Sequence, residues 1–391
     1  MNGESQNASR SIVLTELLRR RPVSRRDIAR ATGVSAPTVG RAIDSLLAEE
    51  VVREGHEIAT AARGRRAVLL DLVAERTHVV GVDLGASNTR IVLTDLIGRP
   101  AHARELSTDP HPDADHLARW LAWSIREVAA DAWPSVSRVA VGLPGAVSED
   151  DAISNAPNLR HIEDSRFRRT LAEELARPLL LDNDANYALL GELHFGAATT
   201  FSQAAMLTIG TGLGAGLSID RRILHGHRGL IGEFGQLPIG AMNARLEHMV
   251  TGPGILARAR EAGVDLRDPV ELFEPATTPS RRMLRAQFDQ AIVVVLAIAA
   301  VSCEPQCIVL GGQVGRRISA YADEYAASLE DLLNLRVTIS PAALGNFSGA
   351  VGAAVAGLQE CYRDLGAQEE HLADLPSPGA LTPSLVEQSL S

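Results

Sequence analysis

The first fifty residues place apolar side chains at helical spacing. One apolar face predicts a helix over Ser11–Arg21, which Pro22 ends. A second helix starts behind Ser24 as N-cap and breaks at Gly33. A third helix follows Ser35, and its apolar face consists of Val39, Ala42, Ile43, Leu46 and Leu47. Two short helices, a glycine turn and a third helix with small polar residues at its start are typical of a helix-turn-helix, which reads DNA.

Two runs of β-forming residues come after the third helix. Val51–His56 and Ala67–Leu72 predict the strands of a wing, and the segment Arg63–Arg66 joins them. Arginines on a glycine-containing loop suit the narrow, negative minor groove, although a solvated loop is the alternative for this cluster alone. The residues expected to contact DNA are Ser24, Arg25, Ser35, Thr38, Arg41, Arg63 and Arg65.

Composition and charge agree with this division of the chain. The 391 residues are 46% hydrophobic and 22% charged, which is enough to bury a large core. Residues 1–72 contain 12 arginines against 9 acidic residues, whereas the remainder contains 26 against 39. The longest apolar run, Ala291–Val301, is too short to span a membrane, so we expect a cytoplasmic protein. The three cysteines are expected to be core residues without metal or redox chemistry.

The pattern changes to strands and glycine turns from His78 onward. A strand ending at Asp83, a polar turn through Gly85 and Ser87, and a second strand form a hairpin whose amides and hydroxyls can hold phosphate. Met206–Ile219 repeats this arrangement around four glycines, for which a tight β-turn is the alternative explanation. Four further glycines, from Gly226 to Gly235, surround Glu233 in a segment typical of a ligand-contacting loop.

Helices and strands alternate between the two glycine hairpins. Helix His116–Trp133 precedes strand Val136–Gly142, and a helix ending at Ala176 precedes the buried strand Leu179–Leu181. Asp184 comes just after that strand, where ligands of open α/β sheets bind. A carboxylate there can accept a proton from a sugar hydroxyl that attacks a phosphoryl group, and the alternative is that it only caps the next helix.

From Val79 to Tyr362 the chain resembles the sugar-kinase-like domain of the ROK family (repressors, open reading frames, kinases). The motifs that carry the resemblance are Asp83-Leu-Gly, Val141-Gly-Leu-Pro-Gly-Ala-Val, Asn155-Ala-Pro-Asn-Leu, Asp182-Asn-Asp-Ala-Asn, Thr208-Ile-Gly-Thr-Gly-Leu-Gly-Ala-Gly, Gly232-Glu-Phe-Gly and Pro305-Gln-Cys-Ile-Val-Leu-Gly-Gly. Pro22–Val39 and Gly64-Arg65-Arg66 resemble the winged helix-turn-helix of ROK repressors. The resemblance implies an α/β protein with an N-terminal winged helix-turn-helix followed by a two-lobed actin/hexokinase-like (ribonuclease H-like) ATPase fold.

The resemblance also implies roles for individual residues. Asp184 would be the catalytic base of a kinase. The sugar-binding candidates are Asn158, Asn183, Asp184, Glu233, Gln236 and Glu247. The nucleotide-binding candidates are Asp83, Gly85, Ser87, Thr211, Gly212, Gly214, Gly311 and Gly312.

Two departures from the family pattern affect the expected cofactors. Gln236 stands where the family usually has a histidine, and Leu237–Arg245 contains none of the cysteines that accompany that histidine on zinc. We therefore expect no metal site, and histidines His225, His227 and His248 are expected to make polar contacts instead. Ala86 replaces a glycine of the first phosphate loop, so MgATP is a candidate cofactor whose binding is not assured.

These observations predict three segments and a function. Residues 1–76 form a DNA-binding domain with its linker, residues 77–365 a kinase-like domain with its cleft near 183–236, and residues 366–391 a disordered tail. We expect a transcriptional repressor that senses a sugar or sugar phosphate, binds an operator as a homodimer or homotetramer, and does not associate with membranes. The alternatives are an active ATP-dependent hexose or N-acetylhexosamine kinase with a DNA-binding domain, or a regulator that responds to a protein partner.

Replacing Arg65 with alanine tests the predicted wing. Loss of one cation from the DNA interface should weaken operator binding and reduce the slope of log affinity against log salt concentration by about one. Fluorescence anisotropy with labelled operator at several salt concentrations measures this slope. An unchanged slope would show that Arg65 lies outside the interface.

Overall fold

The computed structural model of the chain describes residues 2–59, 66–239, 244–276 and 278–377. The N-terminal region contains three helices and a small antiparallel sheet with strand order β1-β3-β2. Its elements are α1 (Asn2–Arg20), β1 (Val23–Ser24), α2 (Arg25–Thr32), α3 (Ala36–Ala48), β2 (Val52–Ala59) and β3 (Arg66–Leu72). The helix α1 begins nine residues earlier than predicted.

Local residues mark the ends of the two short helices α2 and α3. The Ser24 hydroxyl accepts a hydrogen bond from the Asp27 amide at 3.2 Å, and Gly33 ends α2 in the left-handed conformation at φ 71°. Ser35 is the N-cap residue of α3, which buries Val39, Ala42, Ile43 and Leu46. The three predicted helices and their caps are therefore present.

The first lobe is built on a five-stranded sheet with order β10-β7-β4-β5-β6. Its elements are β4 (His78–Leu84), β5 (Asn88–Asp95), β6 (Pro100–Ser107), α4 (Ala114–Ala129), β7 (Val136–Leu143), β8 (Ala146–Val147), β9 (Ile153–Ser154), α5 (Ser165–Leu175), β10 (Leu179–Asn183) and α6 (Asp184–Phe195). The strands β4, β7 and β10 are parallel, so their carboxyl ends meet at one edge.

The second lobe repeats this arrangement with sheet order β13-β12-β11-β16-β17. Its elements are β11 (Ala204–Ile209), β12 (Leu213–Ile219), β13 (Arg222–Ile223), β14 (Pro238–Ile239), β15 (Ala244–Arg245), α7 (Leu246–Val250), α8 (Gly252–Glu261), α9 (Pro279–Cys303), β16 (Cys307–Gly311), α10 (Gly312–Ile318), α11 (Ala322–Leu333) and β17 (Thr338–Pro341), and α12 (Ser348–Asp364) follows them. Short 3₁₀ segments cover Ala74–Arg76, Ala130–Ser135, Arg160–Glu163, Phe234–Gln236, Pro269–Phe273, Ser319–Tyr321, Gly345–Phe347 and Glu369–Asp374.

The helix α12 returns to the first lobe and packs against α6 backbone to backbone. A Cβ atom at Gly352 would overlap the carbonyl oxygen of Tyr187 on α6. On its other side α12 lies against β4, where a Cβ atom at Gly81 would overlap the carbonyl oxygen of Ala350. Only residues without side chains allow helices and strands to approach so closely, so α6, α12 and β4 form one tightly packed unit.

The N-terminal helices share a hydrophobic core with the end of α12. Leu14 and Leu17 of α1 belong to the same buried cluster as Leu358 and Tyr362 of α12. The Tyr362 hydroxyl donates a hydrogen bond to the carbonyl of Leu96 at 2.8 Å. Arg10 donates to the carbonyl of Leu365 at 2.7 Å. The DNA-binding candidate domain is thus packed onto the first lobe rather than merely linked to it.

The segment 366–377 corrects one expectation. Leu372 and Leu375 are buried in the shared cluster, and the amide of Gln368 donates to the Thr15 hydroxyl of α1 at 2.9 Å. The prediction of disorder from Gly366 is therefore wrong as far as Ser377, because a few apolar residues anchor a segment whose composition is polar. Residues 378–391 lie outside the described part of the chain.

The helix α9 is long and apolar, with a mean hydropathy of 1.8 over 18 residues, and by length and composition it could cross a membrane. Nine of its residues are buried, among them Phe288 and Leu296, which belong to the core of the second lobe. The core helix of a globular lobe satisfies the same criterion, and the buried face of α9 identifies it as such a helix.

Truncation of Leu375 to alanine should lower the free energy of unfolding by about 3 kcal/mol, because the fully buried side chain would leave a cavity in the shared core. Urea denaturation followed by circular dichroism measures the change. The matched control is Leu332→Ala, where the leucine is 59% exposed and the expected change is below about 0.5 kcal/mol. Equal effects of the two substitutions would contradict the docking of this segment.

Candidate functional site

A cleft of about 540 Å³ lies where the two lobes meet. Both glycine hairpins line it, together with the carboxyl end of β10, the first residue of α6 and the start of α12. All six sugar-binding candidates contribute to its wall, namely Asn158, Asn183, Asp184, Glu233, Gln236 and Glu247. Of the nucleotide-binding candidates, Asp83, Gly85, Ser87, Thr211, Gly212, Gly214 and Gly312 also line it.

Gly311 is the exception among the predicted cleft residues. It is buried at the end of β16, and a Cβ atom there would overlap the terminal methyl of Met206. Met206 itself lines the cleft, so Gly311 lies behind the wall and allows that side chain its position. Its assignment as a nucleotide contact stays a prediction, and the strand pattern could not show which neighbour covers it.

The cap of α6 is Asn183, which leaves the neighbouring Asp184 free to face the cleft. The Asn183 side-chain oxygen accepts from the amides of Ala185 at 2.9 Å and Asn186 at 3.3 Å. Its side-chain nitrogen donates to the carbonyl of Gly145 at 2.8 Å. One amide N–H of Asn183 remains for a ligand. The alternative reading, in which Asp184 only caps its helix, is therefore excluded.

Several carboxyl groups lie close together in the cleft, and this raises the pKa values of two of them. Burial, reinforced by the charges of Asp83, Glu233 and Asp182, raises the pKa of Asp184 to about 8. Burial and the charge of Glu247 raise the pKa of Glu233 to about 7. At neutral pH Asp184 is therefore largely protonated and Glu233 about half protonated, and a protonated carboxyl both donates and accepts hydrogen bonds. Such groups suit the hydroxyls of a neutral sugar.

Arg90 is a cleft residue that sequence reasoning missed. Its guanidinium lies 3.4 Å from Asp83 and 2.8 Å from Glu105. Burial raises the pKa of Asp83, and the Arg90 charge opposes that rise. The hairpin register pairs Asp83 directly with Arg90, so counting back from the predicted turn could have found this ion pair.

The second glycine hairpin leaves open space on the cleft side. A Cβ atom at Gly210 would meet no protein atom within 4 Å, so a ligand can approach the backbone there. At Gly214 a Cβ atom would lie 2.6 Å from the Thr208 hydroxyl and 3.6 Å from an Asp184 carboxylate oxygen. The hairpin can therefore accept a nucleotide phosphate beside Gly210 and passes close to Asp184.

Glu192 is a second residue that the sequence did not reveal. Its carboxylate is fully buried and accepts hydrogen bonds from the amides of Ala197, Ala343 and Leu344 and from the Ser348 hydroxyl, at 2.7 to 3.0 Å. Those donors lie at the end of α6 and in the segment that leads into α12. Glu192 thereby holds α6, and with it Asp184, against the second lobe.

Gln236, at the position of the family's usual histidine, is held by an arginine. Arg245 donates a hydrogen bond to the Gln236 side-chain oxygen at 2.6 Å. Among the described residues, no three His, Cys, Asp or Glu side chains are arranged to hold a metal ion. The undescribed residues 240–243 are Gly, Ala, Met and Asn.

The DNA-contact candidates fall into four groups. Ser24 is buried, and its hydroxyl is used at the cap of α2, so this side chain is not presented to a DNA groove. Arg25 is paired with Glu54 at 2.8 Å and with Asp44 at 3.7 Å. Three polar side chains form a hydrogen-bonded row at the start of α3, namely Ser35, Thr38 and Arg41. The remaining candidates, Arg63 and Arg65, lie outside the described residues.

The sequence model of the ROK family matches residues 79–360. The chain belongs to the ROK family. The xylose repressor of Caldicellulosiruptor bescii is 24% identical over 358 residues, which are 84% of this chain and 88% of that protein. The xylose repressor of Bacillus subtilis is 27% identical over 237 residues, 60% of this chain and 61% of that protein. The putative xylose repressor of Caldicellulosiruptor sp. is 29% identical over 235 residues, and this chain spans 58% of its length.

Two solved structures support the fold. A ROK hexokinase from Thermus thermophilus is 28% identical and covers 71% of this chain and 97% of its own, with a TM-score of 0.59. A ROK family transcriptional regulator, described as a homologue of the E. coli MLC protein, covers 95% of this chain and 99% of its own with a TM-score of 0.74, and at 20% identity it supports the fold alone. The two-lobed hexokinase-like part of the predicted fold is thus confirmed.

Replacing Asp184 with asparagine should change the pH dependence of stability. The folded protein keeps the Asp184 proton up to about pH 8, whereas the unfolded chain loses it near pH 3.8, so ionisation weakens the fold as pH rises between these values. The variant lacks this loss, and its free energy of unfolding relative to wild type should increase by about 3 kcal/mol from pH 5 to pH 8. Urea denaturation at both pH values measures it. Asp331→Asn, at an exposed position of α11, is the control, and parallel curves for wild type and Asp184→Asn would contradict the raised pKa.

Proposed function

We propose that this chain is a transcriptional repressor that responds to a sugar. The observation that carries the proposal is the convergence of all six sugar-binding candidates on one cleft, in a chain whose N-terminal helices share a core with α12. The xylose repressors of Caldicellulosiruptor bescii and Bacillus subtilis, at 24% and 27% identity, support the same function. A repressor of this kind acts on DNA in the cytoplasm.

The effector is a neutral sugar rather than a sugar phosphate. The sugar end of the cleft is lined by carboxyl and amide groups, and Arg245 beside it already donates to Gln236. Of the two arginines among the described cleft residues, Arg90 is paired with the nucleotide candidate Asp83, and Arg316 lies on α10, which begins at the nucleotide candidate Gly312. A phosphate at the sugar end would therefore face carboxyl groups without a partner cation. D-Xylose is the first candidate, because several relatives are xylose repressors.

The DNA-binding part is a winged helix-turn-helix within residues 1–76. The polar row at the start of α3, formed by Ser35, Thr38 and Arg41, would enter a major groove. Arg63 and Arg65 come between β2 and β3 in the sequence, where a wing would reach the minor groove. Sugar binding would alter DNA affinity if the sugar binds one arrangement of the lobes more tightly than the other. Each tenfold difference in sugar affinity shifts the equilibrium between the two arrangements by about 1.4 kcal/mol.

The working assembly is a homodimer, which suits a two-fold operator. The helix α9 supports self-association through an unpartnered stripe with the four-three spacing of a coiled-coil seam. The stripe consists of Met283, Gln287, Gln290, Val294, Ala297 and Val301, of which Ala297 alone is half-buried and the others are exposed. A second copy of α9 in antiparallel orientation would cover the apolar part of this stripe.

The second candidate function is an ATP-dependent sugar kinase that also binds DNA. It is favoured by Asp184, which faces the cleft close to the second glycine hairpin, and by the open space beside Gly210. Bound MgATP would supply the phosphoryl group. The residues that would hold it are Ser87 and Gly85 of the first hairpin and Thr211 and Gly212 of the second, while Asp184 would accept the proton of the attacking sugar hydroxyl.

One set of measurements separates these functions. Binding of the full chain to a DNA fragment, selected from a random library by its binding to that chain, is measured with and without D-xylose, D-glucose, N-acetylmannosamine and their phosphates. The repressor proposal requires at least a tenfold loss of DNA affinity with one neutral sugar. DNA affinity that no sugar changes would contradict it.

ADP release from MgATP with the same sugars tests the kinase function. Asp184→Asn is the control, because it removes the proposed base and keeps the side-chain volume. Turnover that disappears in this variant would establish the kinase, whereas sugar binding without turnover would establish a sensor that retains the kinase fold.

A further inference from the structure

A loop of the second lobe is tied to the first lobe beside the cleft. We call residues 224–232 the glycine loop; it runs from the end of β13 to Glu233. His225 of this loop donates a hydrogen bond from Nε2 to Oδ2 of Asp182 at 2.8 Å. Asp182 belongs to β10 of the first lobe, so this bond crosses from one lobe to the other.

Asp182 is a rigid anchor for that bond. It is 8% exposed, and its other oxygen, Oδ1, accepts from the amide of Asn183 at 2.7 Å and from the side chain of Asn186 at 2.9 Å. These bonds fix the carboxylate relative to Asn183 and Asp184. The Asp182 oxygen that faces His225 is therefore held in a defined place beside the sugar candidates.

The backbone of the glycine loop also contacts both lobes. A Cβ atom at Gly229 would overlap the carbonyl of Val147 in the first lobe. A Cβ atom at Gly232 would overlap the carbonyl of Ala215 in the second lobe. Glu233 follows Gly232 directly, so the position of its carboxyl group depends on how this loop is seated.

We propose that His225 is a positioning residue for the sugar site. Its hydrogen bond to Asp182 holds the glycine loop so that Glu233 and Asp184, which come from different lobes, face the same sugar. This inference rests on the proposed sugar-sensing function. His225 acts through Glu233 and does not itself have to touch the sugar.

The hydrogen bond between His225 and Asp182 is stronger when His225 is protonated. The hydrogen bond to Asp182, followed by that carboxylate's charge, raises the pKa of His225 above its ordinary value of 6.5, and burial opposes the rise. The other titratable groups around the loop are Asp184 of α6, Glu149 after β8, which lies 3.7 Å from His227, and Glu233 itself. As pH rises through the raised pKa of His225, the ion pair becomes a neutral hydrogen bond and loses strength.

The test is isothermal titration calorimetry of the full chain with D-xylose and with D-glucose between pH 5.5 and 8.5. His225→Ala should raise the sugar Kd about tenfold at pH 6, because a hydrogen bond between charged groups is lost. The matched control is His227→Ala, since His227 lies on the same loop, is 88% exposed and faces Glu149 across 3.7 Å; its Kd should stay within about twofold of wild type.

A second variant separates positioning from folding. His225→Gln keeps a donor near Asp182 but cannot be protonated, so it should bind sugar within about threefold of wild type at pH 8.5 and show a larger deficit at pH 6. Asp184 and Glu233 are present in both wild type and His225→Gln. The difference between the two profiles of Kd against pH therefore reports the contribution of the His225 charge. Thermal unfolding confirms that each variant is folded.

The outcomes distinguish this inference from the proposed function. Sugar binding by wild type with equal Kd values for His225→Ala and His227→Ala would overturn the positioning role and leave the sensor intact. Parallel pH profiles for wild type and His225→Gln would overturn it as well. Absence of sugar binding by wild type would overturn the sensor proposal and this inference together.

Discussion

The buried carboxylate of Glu192 is the interaction on which the geometry of the cleft depends. A buried charge is tolerated only when hydrogen bonds replace its water, and Glu192 obtains them from the segment that leads into α12. This ties α6 to α12. The first residue of α6 is Asp184, and near the start of α12 a Cβ atom at Gly349 would lie 2.9 Å from Asp83. One carboxylate thus helps to fix the elements that carry Asp184 and Asp83, whose charges interact in the cleft.

The same two helices connect the cleft with the N-terminal domain. At the far end of α6, His194 is fully buried, burial lowers its pKa to about 3, and it donates to the carbonyl of Pro376 at 3.2 Å. The far end of α12 contributes Tyr362 to the core that α1 completes. Because α12 forms one packed unit with α6 and β4, it moves with the first lobe as a rigid body, and α1 has to follow that body or break this core. The coupling that a sugar-responsive repressor needs therefore has a continuous physical basis.

The chemistry of the cleft follows from carboxyl groups that lie close together. Asp184 and Glu233 have raised pKa values because burial penalises their charged forms and neighbouring carboxylates repel them. Binding a neutral polyol replaces water on these groups without adding charge. A kinase needs Asp184 ionised, which its surroundings disfavour at neutral pH in the ligand-free protein. Asp184 can therefore bind sugar hydroxyls in its protonated form. It can abstract a proton only when bound ligands change its environment and lower its pKa.

The sequence alone determined the features that arise within short stretches of chain. The periodicity of α1, α2 and α3, the caps at Ser24 and Gly33, and both glycine hairpins depend on neighbouring residues, and family motifs added the cleft residues. Only the tertiary structure decided that Asn183 rather than Asp184 caps α6, that Glu192 and His225 find partners across the lobes, and that Leu375 anchors a polar segment. The Glu192 and His225 contacts join residues 43 to 156 positions apart in the chain. Burial and partner choice over such separations are set by packing, which no local pattern encodes.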